Sequence, residues 1–177
     1  LNEKSQGVFK GATKLTGGIY FVVTPQLTIQ FEVLMGSQQH FSIVADTSLK
    51  ENAVIAGSLD NDLFKNYSAF SITKGRYINE LQTAFRNPQS TEDSIRLRNE
   101  LTKTEKEIRT YQENISKKNP GSLLAMLLNA MKRPITPPIP VVNGKADSLY
   151  PYRYVKDHYW DDVNFNDDRL LRTPFFE

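Results

Sequence analysis

"GSLDNDLFKNY", residues Gly57 to Tyr67, is where the periodicity of this chain changes. Upstream of it apolar and polar residues alternate, the period of two that lines one face of a strand. Downstream, apolar residues recur three and four positions apart, the period of an α-helix. Asp60 or Asn61 is the expected helix N-cap, since a short polar side chain there can accept from an unpaired amide of the first turn.

Five short runs precede the change: "GVFKG" (7–11), "GGIYFVVT" (17–24), "LTIQFEVLM" (27–35), "QQHFSIVAD" (38–46) and "NAVIAGS" (52–58). Each is rich in β-branched and aromatic residues and bounded by Gly, Pro, Asp or Asn, which predicts strands. Ile29, Phe31 and Val33 are expected on one face, with Thr28, Gln30 and Glu32 on the other; Phe41, Ile43 and Ala45 repeat the pattern. The spacing suggests an antiparallel meander or partial sandwich with one packed face, which needs a second layer to close it.

After the change, one helix carries Leu63, Phe64, Tyr67, Phe70, Tyr77, Ile78, Leu81 and Phe85, its stripe broken by Lys74. "RNPQSTEDS" (86–94) reads as a turn with Ser90 or Thr91 as the next N-cap. The second helix shows Ile95, Leu101, Ile108, Tyr111 and Ile115 against a charged background, so the two predict a long antiparallel hairpin. A third helix, 122–132, is apolar nearly all round and is expected to be buried. Pro134, Pro137, Pro138 and Pro140 stiffen an extended connection, and "SLYPYRYVKDHYWDDV" (148–163) predicts a short last helix. The fold class is therefore α+β, with a β module over 1–58 and a helical module over 59–177.

Composition narrows the function classes. A net charge of +2 with no block of like charges disfavours nucleic acid or an anionic membrane surface as main partner. With 0 cysteines the 177 residues contain no disulfide, no thiolate zinc ligand and no cysteine nucleophile. No HExxH, GxSxG or glycine-rich phosphate loop occurs, and no cofactor is called for.

The closing stretch, "KDHYWDDVNFNDDRLLRTPFFE" (156–177), concentrates the residues that could carry chemistry. On a helix His158 would neighbour Asp161 or Asp162, as a metal pair or a base with its orienting carboxylate, but no third ligand or nucleophile accompanies them. Asp162, Asn164 and Asn166 imitate the opening of a calcium loop. The sixth position is Asp167 instead of Gly and the twelfth is Thr173 instead of Glu, so the plainer reading is a short helix, 167–171, capped by Asn166 or Asp167. His40 is expected on the solvent side of a strand. Tyr150, Tyr152, Tyr154, Tyr159 and Trp160 suit either a core or a stacking surface; Tyr152, Tyr154, His158 and Trp160 are the candidate ligand or partner contacts, and no catalytic set emerges.

Several stretches together resemble a known arrangement. "KLTGGIYFVV", "FEVLMGSQQHFSIVADT" and "IAGSLDNDLFKNYSAF" resemble the N-terminal strand module of thioredoxin-like lipoproteins of Gram-negative bacteria, with Gly18, Tyr20, Gln39, Phe41, Ser42, Gly57, Ser58 and Asn61 on its motif positions. "KNPGSLLAMLLNAMKRPITPPIP" and "YRYVKDHYWDDVNFNDDRLLRTPFF" are similar to the uncharacterised helical module that precedes the thioredoxin domain there. The resemblance implies a non-catalytic accessory region of a thiol-disulfide oxidoreductase of the periplasm or cell envelope, with further strands expected before Leu1 and a C-x-x-C domain after Glu177. It implies as partners that thioredoxin-like domain, a second copy or client proteins, and a membrane only through a lipid anchor outside these residues. The alternative is a glycan-binding module using Tyr152, Tyr154 and Trp160.

Overall fold

The structure is a computed structural model that describes residues 2–3, 5–46, 53–142 and 144–174; residues 175–177 of the closing stretch lie outside them. It is α+β, with the strands first and the helices after them. In chain order the elements are β1 (Gly18–Val23), β2 (Ile29–Met35), β3 (Ser42–Val44), β4 (Val54–Ala56), α1 (Leu59–Arg86), α2 (Thr91–Lys118), α3 (Leu123–Ala130), the two-residue strands β5 (Val141–Val142) and β6 (Lys145–Ala146), α4 (Tyr150–His158) and a 3-10 segment, Asp168–Arg172.

Among the described residues the strand region forms two separate antiparallel pairs, β1–β2 and β3–β4, instead of one continuous meander, and a further small pair, β5–β6, follows the proline-rich stretch. One cause lies on the outer edge of β2. There the side-chain amide of Asn61 accepts from the Leu34 N–H at 2.9 Å and donates to the Leu34 carbonyl at 2.8 Å, filling the place a third strand would take. The Gln39 amide does the same for Leu15, at 2.9 and 2.7 Å. Residues 7–11 form no strand and lie exposed ahead of that clamp. The shared face of Ile29, Phe31 and Val33 is also corrected. The β1–β2 pairing skips Gln30, so Phe31 stands opposite Val22 while Ile29 stands opposite Val23, on the other face.

The first N-cap is Ser58, not Asp60 or Asn61: its Oγ accepts from the Asn61 N–H. Gly57, at φ +90, turns the chain into it, a conformation a side chain would strain. Ser90 caps α2 as expected. α1 and α2 are each 28 residues, roughly 42 Å at the helical rise. They run antiparallel, since successive links pair rising α1 numbers with falling α2 numbers: Tyr67 with Gln112, Phe70 with Tyr111, Lys74 with Glu107, Tyr77 with Glu100.

The residues withdrawn from solvent along the hairpin include Phe64, Tyr67, Ser71, Lys74, Ile78, Leu81 and Phe85 on α1, and Leu97, Leu101, Thr104, Ile108, Tyr111 and Ile115 on α2. Both sets step three then four, the seven-residue repeat of a coiled coil. Leu97 thus replaces Ile95, which is exposed. Lys74 does not break the seam; it lies in it, reaching Glu107 at 2.5 Å.

α3 explains its own composition by what lies on its two sides. Leu123, Met126, Leu127 and Ala130 pack with Leu34 of β2 and Leu170 of the 3-10 segment, while Leu124 and Leu128 pack with Ile115, Tyr67 and Tyr111 at the hairpin base. Ser122 caps it through the Ala125 N–H. The core therefore sits where β2, the hairpin base and the chain's last described turn converge on one buried helix.

Candidate functional site

α4 begins with Pro151 in its first turn and ends at His158, before the expected Val163. Tyr150, Tyr154 and His158 are four residues apart, so they form one ladder along the helix. Ring centroids are 5.9 Å apart for Tyr150–Tyr154 and 4.2 Å for Tyr154–His158. Tyr152, two positions off that ladder, is 69% exposed. Trp160 belongs to a second group beyond the helix end, edge-on to Tyr159 at 4.7 Å and tilted to Phe165 at 5.6 Å, and is 48% exposed. Of the four candidate contacts, Tyr154 and His158 are brought together, while Tyr152 and Trp160 lie apart from them.

The His158–Asp161 pairing predicted from the spacing is present, with Nδ1 and Oδ2 2.7 Å apart. Asp162 turns the other way to meet Lys132 at 2.9 Å, which ties the segment to the end of α3. The calcium-like residues are likewise spent locally: the Asn164 side chain accepts from the Asn166 N–H, and Asp167 grips Arg169. Among the described residues no three His, Asp or Glu side chains gather as metal ligands. His40 is exposed and precedes β3. Two open clefts of about 390 Å³ lie on the helical hairpin, one beside Arg109, Ser116 and Asn129 and one beside Phe70, Lys103 and Tyr111. Neither includes the aromatic residues of α4.

The densest polar chemistry lies at the junction of the core. Asn61, beyond its two bonds to Leu34, donates to Ser58 Oγ at 2.7 Å. Asp60 accepts from the Leu123 N–H at 2.6 Å, capping α3 from another helix. Asp167 caps the 3-10 segment and holds Arg169 through two side-chain bonds, at 2.8 and 2.6 Å. Arg169 in turn donates to the Gly121 carbonyl at 3.0 Å. The hydrogen bonds from Arg169 hold the Asp167 carboxyl below the usual carboxylate range, and the same bonds raise the guanidinium. Ser58, Asp60, Asn61, Ser122 and Thr173 are all buried. Burying such groups is tolerated because each is hydrogen-bonded, and every bond named here ends on backbone or on a fixed neighbour.

Sequence reading took Asp60 and Asn61 for caps of their own helix and missed this junction. Their partners, Leu34 and Leu123, are 27 and 63 residues away, so no local pattern announces them. Gly36 was an available signal. A side chain there would run into the Asp60 carboxylate, at 1.7 Å from its Cβ, so the chain approaches Asp60 as only glycine can.

No known protein family, curated protein or solved structure matches this chain.

Proposed function

We propose that this chain is a non-catalytic accessory region of a cell-envelope thioredoxin-like disulfide oxidoreductase, one that positions the redox domain or mediates client binding or dimerisation. One observation carries the reading: buried and half-buried polar side chains are used as joints between backbone segments. Asn61 fastens α1 to β2, Asp60 fastens α1 to α3, and Arg169 fastens the 3-10 segment to the turn before α3. Two residues that carry the family resemblance, Gln39 and Asn61, make such joints to Leu15 and Leu34. Side chains fixed in this way suit a rigid platform for attached or bound partners.

With 0 cysteines, the thiols of such an enzyme have to come from another segment. A glycan-binding reading wants Tyr152, Tyr154 and Trp160 on one platform. Tyr154 belongs to the α4 ladder, Tyr152 stands off it and Trp160 belongs to a second group, a separation that favours the accessory reading.

The deciding experiment is the mass and open reading frame of the intact gene product. A frame that continues past Glu177 into a C-x-x-C segment supports the proposal, and deleting this region should then change the rate at which that segment reduces or oxidises clients. An intact product that ends near Glu177 overturns it.

A further inference from the structure

The two-stranded β1–β2 ladder has an edge whose hydrogen-bonding side can be deduced. A strand residue sends its N–H and C=O to the same side, and successive residues alternate. Because Asn61 receives both groups of Leu34, those groups face away from β1. Leu34 stands opposite Ile19, so the pair is of the non-hydrogen-bonded kind, and the peptide groups of Ile19 also face outward, from β1. Two residues on, Phe21 opposite Glu32 repeats the geometry. Near Gly18 the edge is occupied, since Arg172 packs against that glycine. From Phe21 to Val23 no backbone hydrogen bond beyond the β1–β2 ladder is made among the described residues. An edge of this kind can template an added strand.

Among the described residues one segment that reads as a strand makes no backbone hydrogen bond. Residues 7–11 read as a strand from sequence, yet Val8 is 88% and Phe9 96% exposed. Folding this segment back onto its own β1 would require a tight return through residues 12–17. The course of that stretch is already set: both atoms of the Gln39 amide hold Leu15, and the Tyr20 hydroxyl donates to the Thr16 carbonyl at 2.7 Å. A second molecule can supply the same segment without breaking either clamp.

We infer that residues 7–11 of one copy add as a strand to the open edge of β1, at Phe21–Val23, of a second copy, and reciprocally, giving a two-fold strand-exchanged dimer. The inference deepens the dimerisation role in the accessory reading and rests on that reading only for its use in the cell. Its failure would leave the search for a C-x-x-C segment untouched.

Light scattering coupled to size-exclusion chromatography on the 177-residue chain tests it. The mass should rise from monomer to dimer between about 1 and 100 µM. Phe9→Asp spoils the donor, and Phe21→Pro removes only an outward N–H of the acceptor. Each alone should raise the dimer Kd at least about tenfold with helical circular dichroism unchanged. An equimolar mixture of the two variants should recover a heterodimer, since one keeps a sound edge and the other a sound strand. A wild-type chain still monomeric at about 100 µM overturns the inference, as does a dimer indifferent to both substitutions or a mixture that stays monomeric. Should Phe21→Pro lose its helical signal, Phe9→Asp, in an exposed segment, decides alone: a dimer Kd left unchanged by it overturns the inference.

Discussion

Asn61 offers Leu34 what a neighbouring strand would offer, one donor and one acceptor at hydrogen-bond distance, and it does so from the first turn of a helix. Truncating it leaves both peptide groups of a buried residue without partners, a penalty of about 1–3 kcal/mol for each group left unpaired. Asn61→Ala is therefore expected to destabilise the protein by about 2–4 kcal/mol, read from the urea unfolding midpoint. Asn61→Asp should rescue little, since a carboxylate can accept from the Leu34 N–H but cannot donate to its carbonyl. Asp167 carries a pH dependence. Its carboxyl is held below its ordinary range by hydrogen bonds from Arg169, so the ionised form binds a proton more weakly in the folded chain than in the unfolded one. The stabilisation is complete above the ordinary carboxylate value near pH 4 and is lost as pH falls through the lowered folded value. Urea midpoints measured between about pH 6 and pH 3 should fall more steeply for the wild type than for Asp167→Asn; parallel curves would remove Asp167 from the account.

At the scale of elements, the α1–α2 hairpin was readable as two helices but not as a coiled coil. The obstacle was the polar middle of its seam. Ser71, Lys74 and Thr104 occupy repeat positions, so an eye following apolar residues sees a broken stripe and fills it with Phe70, Tyr77 and Ile95 from adjacent positions. Lys74 fits there because Glu107 meets its charge at the seam's margin and the Phe70 ring lies 5.8 Å from its ammonium. A polar residue in such a seam fixes register at some cost in stability. Lys74→Leu is accordingly expected to leave thermal stability unchanged or to raise it by up to about 1 kcal/mol, with more non-native association of hairpins. A clear loss of stability would show that the ion pair outweighs its desolvation. The caps show the opposite kind of difficulty. Ser58, Asp60 and Asn61 all suit an N-cap, and local preference cannot choose among them. The choice is made by Leu34 and Leu123, which claim Asn61 and Asp60 from a distance. Within the candidate site, the i,i+3 spacing of His158 and Asp161 was legible, whereas the Trp160–Phe165 contact lies beyond the helix end, where no period applies.

Taken whole, the molecule is dense at one end and thin at the other. α3 is wrapped by β2, the hairpin base and the 3-10 segment, whereas toward the Asn87–Ser90 turn the two helices have chiefly one another. Opening free energies should follow that gradient. Amide exchange is expected to be slowest at Leu34 and through α3, and to quicken along α1 and α2 toward the turn; uniform protection of the hairpin would indicate a further partner along its length. Four of the five expected strand runs hold a strand while 7–11 does not, and the four do not make one sheet, because side-chain amides substitute for strands at Leu34 and Leu15 and such substitutions have no local signature. The seven-residue seam has one more consequence. Because seven residues return each helix almost to the same facing direction, adding or removing one such block in both helices would move the turn by roughly 10 Å while leaving the base in register. The hairpin thus behaves as a ruler graduated in heptads, whose reach can be reset without touching the platform that holds it.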